Sequence, residues 1–293
     1  MEKISVIIPT KDRLRFLKKT LATYLMQPQV LEIIVIVDGS TDGTQAYLRR
    51  LSQENAKVRF LDNGVNKGIP YTKNRGIDAA KGEYIFIAED DLELAPDFFK
   101  ILIAHLTRSG ADLMCGRNIF RMEGETQQQV MQRVDSMKGR VINKRTIEIN
   151  TSIKLARDTL QSMSAASVLG KAEVFRAVRF DERYVVNFWR EETDFQVSAQ
   201  EAGYKLASCP HALSYNYMII NDKGGVRGVA GFRRTTWVIR NNWRFIKKHR
   251  AFIAEHFAIG NPYVYIVKFS IRKGITDGIF PLLSPLKRAL LRK

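Results

Sequence analysis

Two short runs of acidic residues could carry chemistry, because closely spaced carboxylates can bind a metal ion or take up a proton. The first is Glu89-Asp90-Asp91, which directly follows the apolar run 84–88. Neighbouring carboxylates at the end of a buried strand repel one another unless a cation or a hydrogen-bond donor neutralises them. Their hard oxygen atoms favour Mg²⁺ or Mn²⁺. The same residues would also suit a solvated turn that caps the following helix.

The second run is Arg190-Glu191-Glu192-Thr193-Asp194, which opens an amphipathic stretch. Acidic residues in the first turn of a helix complement its dipole, so local structure alone would explain the run. The run has a catalytic role only if one of its carboxylates faces the first run and accepts a proton from a substrate.

The spacing of apolar residues indicates which elements would position these carboxylates. Short runs rich in β-branched residues predict buried strands over 4–9, 31–37, 58–61 and 84–88. Helical spacing predicts helices between the strands, one of them over 69–81. This alternation predicts a mostly parallel α/β sheet, in which ligands bind beyond the carboxyl ends of the strands. The polar residues that follow those ends are Thr10, Arg13, Asp38 and Glu89 to Asp91.

The second half of the chain is less regular. The polar stretch 121–140 predicts a mobile loop or a surface helix, and residues 188–202 predict another helix.

Composition and motif searches exclude several classes of protein. The chain is 45% hydrophobic and 26% charged, which is typical of a globular protein. Two cysteines, Cys115 and Cys209, are too few for a disulfide scaffold or a cysteine-rich zinc site, so we expect two reduced thiols. The sequence contains no Walker, GxGxxG or GxSxG motif and no histidine pair at zinc spacing. The first residues do not resemble a signal peptide and no apolar run could span a bilayer, so we expect a cytoplasmic protein, at most attached to a membrane.

The net charge of +17 is concentrated towards the end of the sequence. Residues 223–293 contain 16 lysines and arginines against 2 acidic residues, whereas residues 1–222 contain 31 against 28. The segment 282–293 places leucines on one face and cations on the other, which suits the anionic interface of a membrane. A solvated basic tail would fit equally well. A nucleic-acid contact would leave both acidic runs unexplained, and we expect none.

The order of the motifs resembles that of the family 2 glycosyltransferases, which have the GT-A fold. The residues that carry the resemblance are 4–13 (ISVIIPTKDR), 37–44 (VDGSTDGT), 66–82 (NKGIPYTKNRGIDAAKG), 84–91 (YIFIAEDD) and 190–195 (REETDF). The resemblance implies a GT-A-type, Rossmann-like domain over 1–222, with a nucleotide-binding half to about residue 115 and an acceptor half over 116–222. A basic helical extension would follow over 223–293.

The resemblance also implies how a nucleoside diphosphate sugar would bind. Its binding residues would be Pro9, Thr10, Arg13, Asp38, Lys73, Arg75, Glu89 and Asp90. Within this set, the Pro9-Thr10 turn and Asp38 would form the floor under the base. Lys73 stands where the family often has an arginine near the base and phosphates, and Arg75 is close enough in sequence to substitute. Asp91 would bind Mg²⁺ or Mn²⁺.

In the second acidic run, Glu192 matches the general base of the family, and Asp194 would be a supporting carboxylate. In-line attack by the oxygen of an acceptor hydroxyl, whose proton passes to Glu192 on the face opposite the leaving group, would invert the anomeric carbon.

This sequence departs from the family pattern at three positions. Glu89 stands where aspartate is usual, and the base is glutamate rather than aspartate. A late histidine that often helps to bind metal or phosphate is replaced by Tyr215 or Asn216, with His211 out of register.

Taken together, the resemblance implies an inverting, metal-assisted transfer of a sugar to a hydroxyl of a glycan or lipid-linked acceptor in the synthesis of surface polysaccharides. The alternative is a catalytically weak or inactive nucleotide-binding protein with the same fold, which Glu89 and the missing histidine would favour. A sugar nucleotidyltransferase is disfavoured, because residues 9–13 after the first strand contain no glycine.

Overall fold

The computed structural model describes residues 2–122, 124–184, 190–218 and 232–275. Its strands are β1 (Ile4–Thr10), β2 (Val30–Val37), β3 (Val58–Asp62), β4 (Tyr84–Ile87), β5 (Leu92–Leu94), β6 (Leu113–Met122), β7 (Ile142–Asn143), β8 (Glu148–Ile149), β9 (Thr159–Leu160), β10 (Val168–Lys171) and β11 (Leu206–Met218). Its helices are α1 (Leu14–Leu25), α2 (Thr44–Glu54), α3 (Ile69–Ala79), α4 (Phe98–Ser109), α5 (Gln127–Asp135), α6 (Ala172–Ala177), α7 (Glu191–Glu201), α8 (Phe232–Lys248), α9 (Arg250–His256) and α10 (Pro262–Lys273).

The first half of the chain forms a parallel sheet in the order β3-β2-β1-β4. Its central strands are apolar on both faces because helices cover both sides, and Ile7 and Ile34 are fully buried. The predicted alternation of strands and helices is therefore confirmed. The helix predicted over 69–81 is observed as α3, with Pro70 at its start.

The second half of the sheet mixes directions that local sequence patterns do not determine. Strand β10 lies antiparallel between β4 and β6, while β11 runs parallel to β6 and antiparallel to the short β5. The whole path is β3-β2-β1-β4-β10-β6-β11-β5. The pairing of β5 with β11 places Asn216 beside Leu92, and thereby brings the two halves of the chain together.

Part of the polar stretch 121–140 is helix α5. Thr126 and Gln129 form a reciprocal capping box at its N-terminus, which satisfies two backbone amides. The helix covers Ile119 with Val130 and Val134.

The C-terminal helices α8 to α10 share one hydrophobic cluster with the second half of the domain. Phe245, Ile253 and Ile266 pack in this cluster with Tyr184 and Val197. Helices α8 to α10 lie within residues 232–275, and the basic helical extension over 223–293 stays a prediction. The predicted boundary between residues 222 and 223 and the basic segment 282–293 lie outside the described residues. Across the residues that the structure describes, we find no helix long and apolar enough to cross a membrane.

Candidate active site

The acidic triplet, Glu89-Asp90-Asp91, lies between the end of β4 and the start of β5. Helix α1 holds its backbone, because the Tyr24 hydroxyl donates to the carbonyl of Glu89 at 3.2 Å and the Thr20 hydroxyl donates to that of Asp90 at 3.0 Å. Tyr24 and Thr20 lie on the buried face of α1. The buried face of α1 therefore holds the triplet in position through these two hydrogen bonds.

Arg13 bridges two carboxylates of the triplet. Its Nε lies 3.0 Å from Asp90 Oδ1, and one terminal nitrogen lies 2.6 Å from Asp91 Oδ2. Asp90 also accepts a hydrogen bond from the hydroxyl of Thr10 at 2.7 Å. The structure thus brings together four of the residues singled out from the sequence, and it gives Arg13 a direct part in neutralising the triplet.

Asn216, rather than Tyr215, faces the triplet. Its Nδ2 donates to Asp91 Oδ1 at 3.0 Å. The reason is strand register, since Asn216 pairs with Leu92 in the β5–β11 ladder, next to Asp91. Tyr215 points to the other face of the strand, where its hydroxyl accepts a hydrogen bond from Gln127 at 3.3 Å.

Asp38 is buried at the end of β2 and binds the loop that follows β3. Its carboxylate accepts hydrogen bonds from the backbone amides of Lys67 and Gly68 at 2.8 and 3.0 Å, and from Asn63 Nδ2 at 2.8 Å. Gly39 has a φ of 71°, and a Cβ there would lie 2.7 Å from a backbone nitrogen of the same loop. Only glycine fits this close approach without strain.

Three further candidates lie around this loop and the end of β1. Pro9 and Thr10 end β1, and the carbonyl of Thr10 accepts a hydrogen bond from the amide of Asp38 at 2.9 Å. Arg75 donates a hydrogen bond to the side chain of Asn63 at 2.6 Å. Since Asn63 in turn binds Asp38, Arg75 supports the loop that follows β3.

Lys73 connects the first half of the chain to the second acidic run. Its ammonium group lies 2.7 Å from Glu191 Oε1 and 3.5 Å from Glu192 Oε1. Burial alone would lower the pKa of Lys73, but the two carboxylates outweigh it and raise the pKa. Burial and the charge of Glu192 raise the pKa of Glu191 well above its usual range. Of the two carboxyls Glu191 is therefore the harder to ionise, and Lys73 is the cation that both contact.

Glu192 is the ionised member of this group. Burial opposes ionisation, but the charge of Lys73 and a hydrogen bond from Glu191 lower the pKa of Glu192 below its ordinary value. Its side chain is 29% exposed, compared with 0% for Glu191. Glu192 is therefore a carboxylate that is charged at neutral pH and accessible from outside.

The two acidic runs interact with each other. Burial, followed by the charges of Asp91 and Glu192, raises the pKa of Glu89 to about 7, although Lys73 and a hydrogen bond from Ser167 oppose the shift. The charge of Glu192 therefore acts on Glu89, although the two carboxylates are about a hundred residues apart in sequence. This is the arrangement in which the second run can have a catalytic role.

Asp194 lies away from this cluster. Its fully buried carboxylate contacts the Tyr184 hydroxyl at 2.9 Å, Lys248 Nζ at 2.7 Å and His249 Nε2 at 2.9 Å. All three partners lie on the side of α7 that faces the C-terminal helices. The structure therefore gives Asp194 the contacts of a residue that positions α7.

Sequence reasoning missed three polar residues of the site. Glu191 binds Lys73, Ser167 donates to Glu89 at 3.2 Å, and Asn118 donates to Asn216 at 2.5 Å. The position of Glu191 beside Glu192 is a signal that could have found it. For Asn118 and Ser167 there is no such signal, because strand pairing between distant segments brings them to the site.

Solved structures with similar folds define the class of protein. The chain resembles Staphylococcus aureus TarS 1-349 in complex with UDP-GlcNAc, with a TM-score of 0.56 and 13% identity, covering 96% of this chain and 75% of that one. It also resembles the mannosyltransferase PcManGT of Pyrobaculum calidifontis in complex with GDP-Man and Mn²⁺, with a TM-score of 0.57 and 13% identity, covering 94% and 71%. The fold is that of the GT-A glycosyltransferases.

Sequence comparison then gives the family. Residues 5–170 match the family described as "Glycosyl transferase family 2". Since the match spans more than half of the chain, the chain belongs to family 2 of the glycosyltransferases.

Two curated relatives are similar over parts of their length. The GalNAc(5)-diNAcBac-PP-undecaprenol beta-1,3-glucosyltransferase of Campylobacter jejuni is 32% identical over 126 residues, 42% of this chain and 40% of that protein. Glycosyltransferase GlyA of Streptococcus pneumoniae is 25% identical over 181 residues, 61% of this chain and 26% of that protein. Each alignment thus covers less than half of the relative.

Proposed function

We propose that this protein transfers a sugar, with inversion, from a nucleoside diphosphate sugar to a hydroxyl of a glycan or lipid-linked acceptor. The observation that carries the proposal is the contact of Lys73, on α3, with Glu191 and Glu192 at 2.7 and 3.5 Å, which joins the second acidic run to the nucleotide-binding half of the chain. It supports a single cleft with a donor side, at the triplet, and a proton-accepting side, at Glu192. The name of the C. jejuni relative specifies an undecaprenol-linked acceptor, which supports the same class of acceptor here.

On the donor side, Asp38, Pro9 and Thr10 would form the floor under the nucleotide base. The rigid hydrogen bonding of Asp38 to the loop at Lys67 and Gly68 supports this role, because a fixed floor needs no reordering when the donor binds. Neighbours in the same fold bind UDP-GlcNAc and GDP-Man, which supports a nucleoside diphosphate sugar as the donor.

The acidic triplet suits a hard divalent cation such as Mg²⁺ or Mn²⁺. Asp91 would hold the ion with help from Glu89, since both present carboxylate oxygens at the end of β4. Arg13 pairs with Asp91 at 2.6 Å, so the ion would share this carboxylate with Arg13. Such an ion stabilises the negative charge that develops on a departing diphosphate. Arg13 itself supplies a fixed positive charge at the same edge of the sheet.

Glu192 would act as the general base. The oxygen of the acceptor hydroxyl forms a bond to the anomeric carbon while the bond from that carbon to the diphosphate oxygen breaks. The electron pair leaves with the diphosphate, and the proton of the hydroxyl passes to Glu192. Lys73 keeps Glu192 ionised at neutral pH, because its charge and a hydrogen bond from Glu191 both lower the pKa of Glu192.

We place the protein in the cytoplasm, peripheral to the inner face of the membrane, with segment 282–293 at the anionic surface. The basic charge of residues 223–293 and the lipid-linked acceptor named for the C. jejuni relative support this placement.

Ligand-dependent thermal unfolding tests the donor side. Wild-type protein is heated with UDP, GDP, dTDP or CMP, each with and without Mn²⁺. A ligand at a hundred times its dissociation constant stabilises the folded state by about 2.7 kcal/mol. We expect one nucleotide to stabilise the protein in the presence of Mn²⁺, and Asp91→Ala to lose that effect. Glu173→Ala, which removes an exposed carboxylate on α6, is the matched control and should behave as wild type.

The outcomes separate the alternatives. Stabilisation that needs no metal and survives in Asp91→Ala would refute the metal part and leave Arg13 as the cation of the site. If none of the four nucleotides raises the melting temperature, the donor site as proposed is refuted. Binding without release of nucleoside diphosphate when sugar donors and acceptors are supplied would favour the inactive nucleotide-binding protein.

A further inference from the structure

A second cluster of metal-ligating side chains lies at the opposite end of β11 from the candidate active site. It consists of His105 on α4, Asp158 just before β9, and Cys209 near the start of β11, and we call it the back cluster. One ligand atom from each residue lies within 4.8 Å of the others. Cys209 pairs with Gly116 of β6 and Asn216 pairs with Phe120, and these partners lie four residues apart, roughly 13 Å along the strand. The back cluster is therefore distinct from the triplet.

The three side chains are held in place by the fold. Cys209 is 1% exposed, and the side chains of His105 and Asp158 are each 15% exposed. The Nδ1 atom of His105 lies 2.8 and 2.7 Å from the two oxygens of Asp158. Since the three residues come from separate segments, the meeting of a nitrogen, an oxygen and a sulfur ligand is a property of the tertiary structure.

We propose that the back cluster binds a divalent transition-metal ion of the zinc class. Imidazole, thiolate and carboxylate are the ligands that Zn²⁺ takes in proteins, and three of them with water in the fourth position form a complete tetrahedral set. Mg²⁺ and Mn²⁺ prefer oxygen ligands, so the thiol directs the back cluster away from the metals suited to the triplet. His211 is exposed nearby, with its ring centroid 5.3 Å from that of His105.

Binding requires a small rearrangement. Ligands at about 2.0–2.3 Å from a tetrahedral zinc ion lie roughly 3.3–3.8 Å apart. The contact of 2.7 Å between His105 and Asp158 must therefore open by about half an ångström to one ångström, while Cys209 moves closer. Arg108, which lies 3.2 Å from Asp158 and 2.8 Å from Nδ1 of His105, must swing away towards solvent, to which its side chain is 68% exposed.

The bound ion would tie a long connection to the rest of the sheet. Asp158 lies directly before β9, which pairs with β11 through Thr159 and Leu160. The same connection continues to Ser167, which contacts Glu89 in the candidate active site. Because the metal would fix this connection to α4 and β11, its binding would stabilise the folded state as any ligand does.

Cobalt substitution tests the proposal on the full chain. Protein that has been stripped with a chelator is titrated with Co²⁺, and the thiolate-to-cobalt charge-transfer band and the visible d–d bands are recorded. We expect one equivalent of Co²⁺ to produce both the charge-transfer band and the d–d bands. Zn²⁺ should then remove these bands by displacing the cobalt ion. Cys209→Ser should abolish the charge-transfer band, and Asp158→Asn should weaken binding at least about tenfold. Asp158 is partly exposed, so Asp158→Asn tests the site in a folded protein if Cys209→Ser does not fold.

Two controls identify the site. Cys115→Ser changes the other buried thiol, and Asp91→Ala changes the triplet; both should retain the charge-transfer band. Loss of the band in Cys115→Ser, its persistence in Cys209→Ser, or cobalt binding without any thiolate band in the wild type would overturn the proposal. A melting temperature that zinc leaves unchanged in the wild type would overturn it as well.

Discussion

Replacing Lys73 by methionine should destabilise the protein through Glu191. The two side chains are 3% and 0% exposed and lie 2.7 Å apart. Unit charges at that distance attract by about 6 kcal/mol at an effective dielectric constant of 20. Because burial raises the pKa of Glu191, that carboxyl can take up a proton when Lys73 is absent, and this limits the loss. Removal of one partner of a buried pair costs about 3–5 kcal/mol. We expect the loss of unfolding free energy to lie near the lower end of this range, at about 3 kcal/mol.

Thermal unfolding at neutral pH measures this loss. With an unfolding entropy of about 2.1 cal/mol/K per residue over 293 residues, a loss of 3 kcal/mol lowers the melting temperature by about 5 °C. The double variant Lys73→Met/Glu191→Gln should recover most of the loss, because glutamine leaves no buried charge. Lys100→Met, which changes an exposed lysine on α4, should have no effect.

The same variant has an expected effect on the pH dependence of transfer. Lys73 is the main group that lowers the pKa of Glu192, so Lys73→Met should move the acid limb of the rate profile to higher pH. The reasoning is refuted if Lys73→Met has the same melting temperature as the wild type. It is also refuted if adding Glu191→Gln to Lys73→Met lowers the melting temperature further instead of restoring it. An acid limb that does not move would remove Lys73 from the control of Glu192.

Other predictions concern single carboxylates. Glu192→Gln should reduce kcat by about 10²–10⁴-fold while nucleotide affinity, measured by calorimetry, stays the same; unchanged transfer would exclude Glu192 as the base. Asp194→Asn should lower the melting temperature by loosening α7 from α8, and equal melting would exclude a positioning role. Burial opposes ionisation of Asp181, but hydrogen bonds from Arg183 and the charge of Lys248 lower its pKa to about 2. Its contribution to stability is therefore complete above about pH 4 and is lost as the pH falls towards 2. Asp181→Asn should accordingly lower the urea midpoint at pH 7, with the difference vanishing near pH 2.

The first half of the fold could be predicted because each of its signals is local. Apolar runs such as 31–37 encode buried strands, and Pro70 and the spacing after it encode α3. The acidic triplet follows β4 directly, so its place at the edge of the sheet follows from the parallel topology alone.

The second half could not be predicted in the same way, because its contacts are set by pairing over long distances. Whether Tyr215 or Asn216 faces Asp91 depends on the β5–β11 register, and the three-residue strand β5 has no distinctive pattern. The role of Asp194 depends on α8, more than forty residues later in the chain. The back cluster has no sequence motif, since α4, the segment just before β9, and β11 each supply one residue. The capping box at Thr126 is the exception, because its spacing is readable in the sequence.

The position of β11 in the sheet has a consequence for synthesis on the ribosome. This late strand lies between β6 and β5, and its Asn216 contacts Asp91 across 125 residues of sequence. At about 5–20 residues per second, that separation takes roughly 6–25 s to translate. From the completion of β6 until β11 emerges, the edge of β6 that β11 will later occupy stays open, and β5 has no partner. The nascent chain is then most exposed to aggregation, and a chaperone that covers this edge would act in that interval.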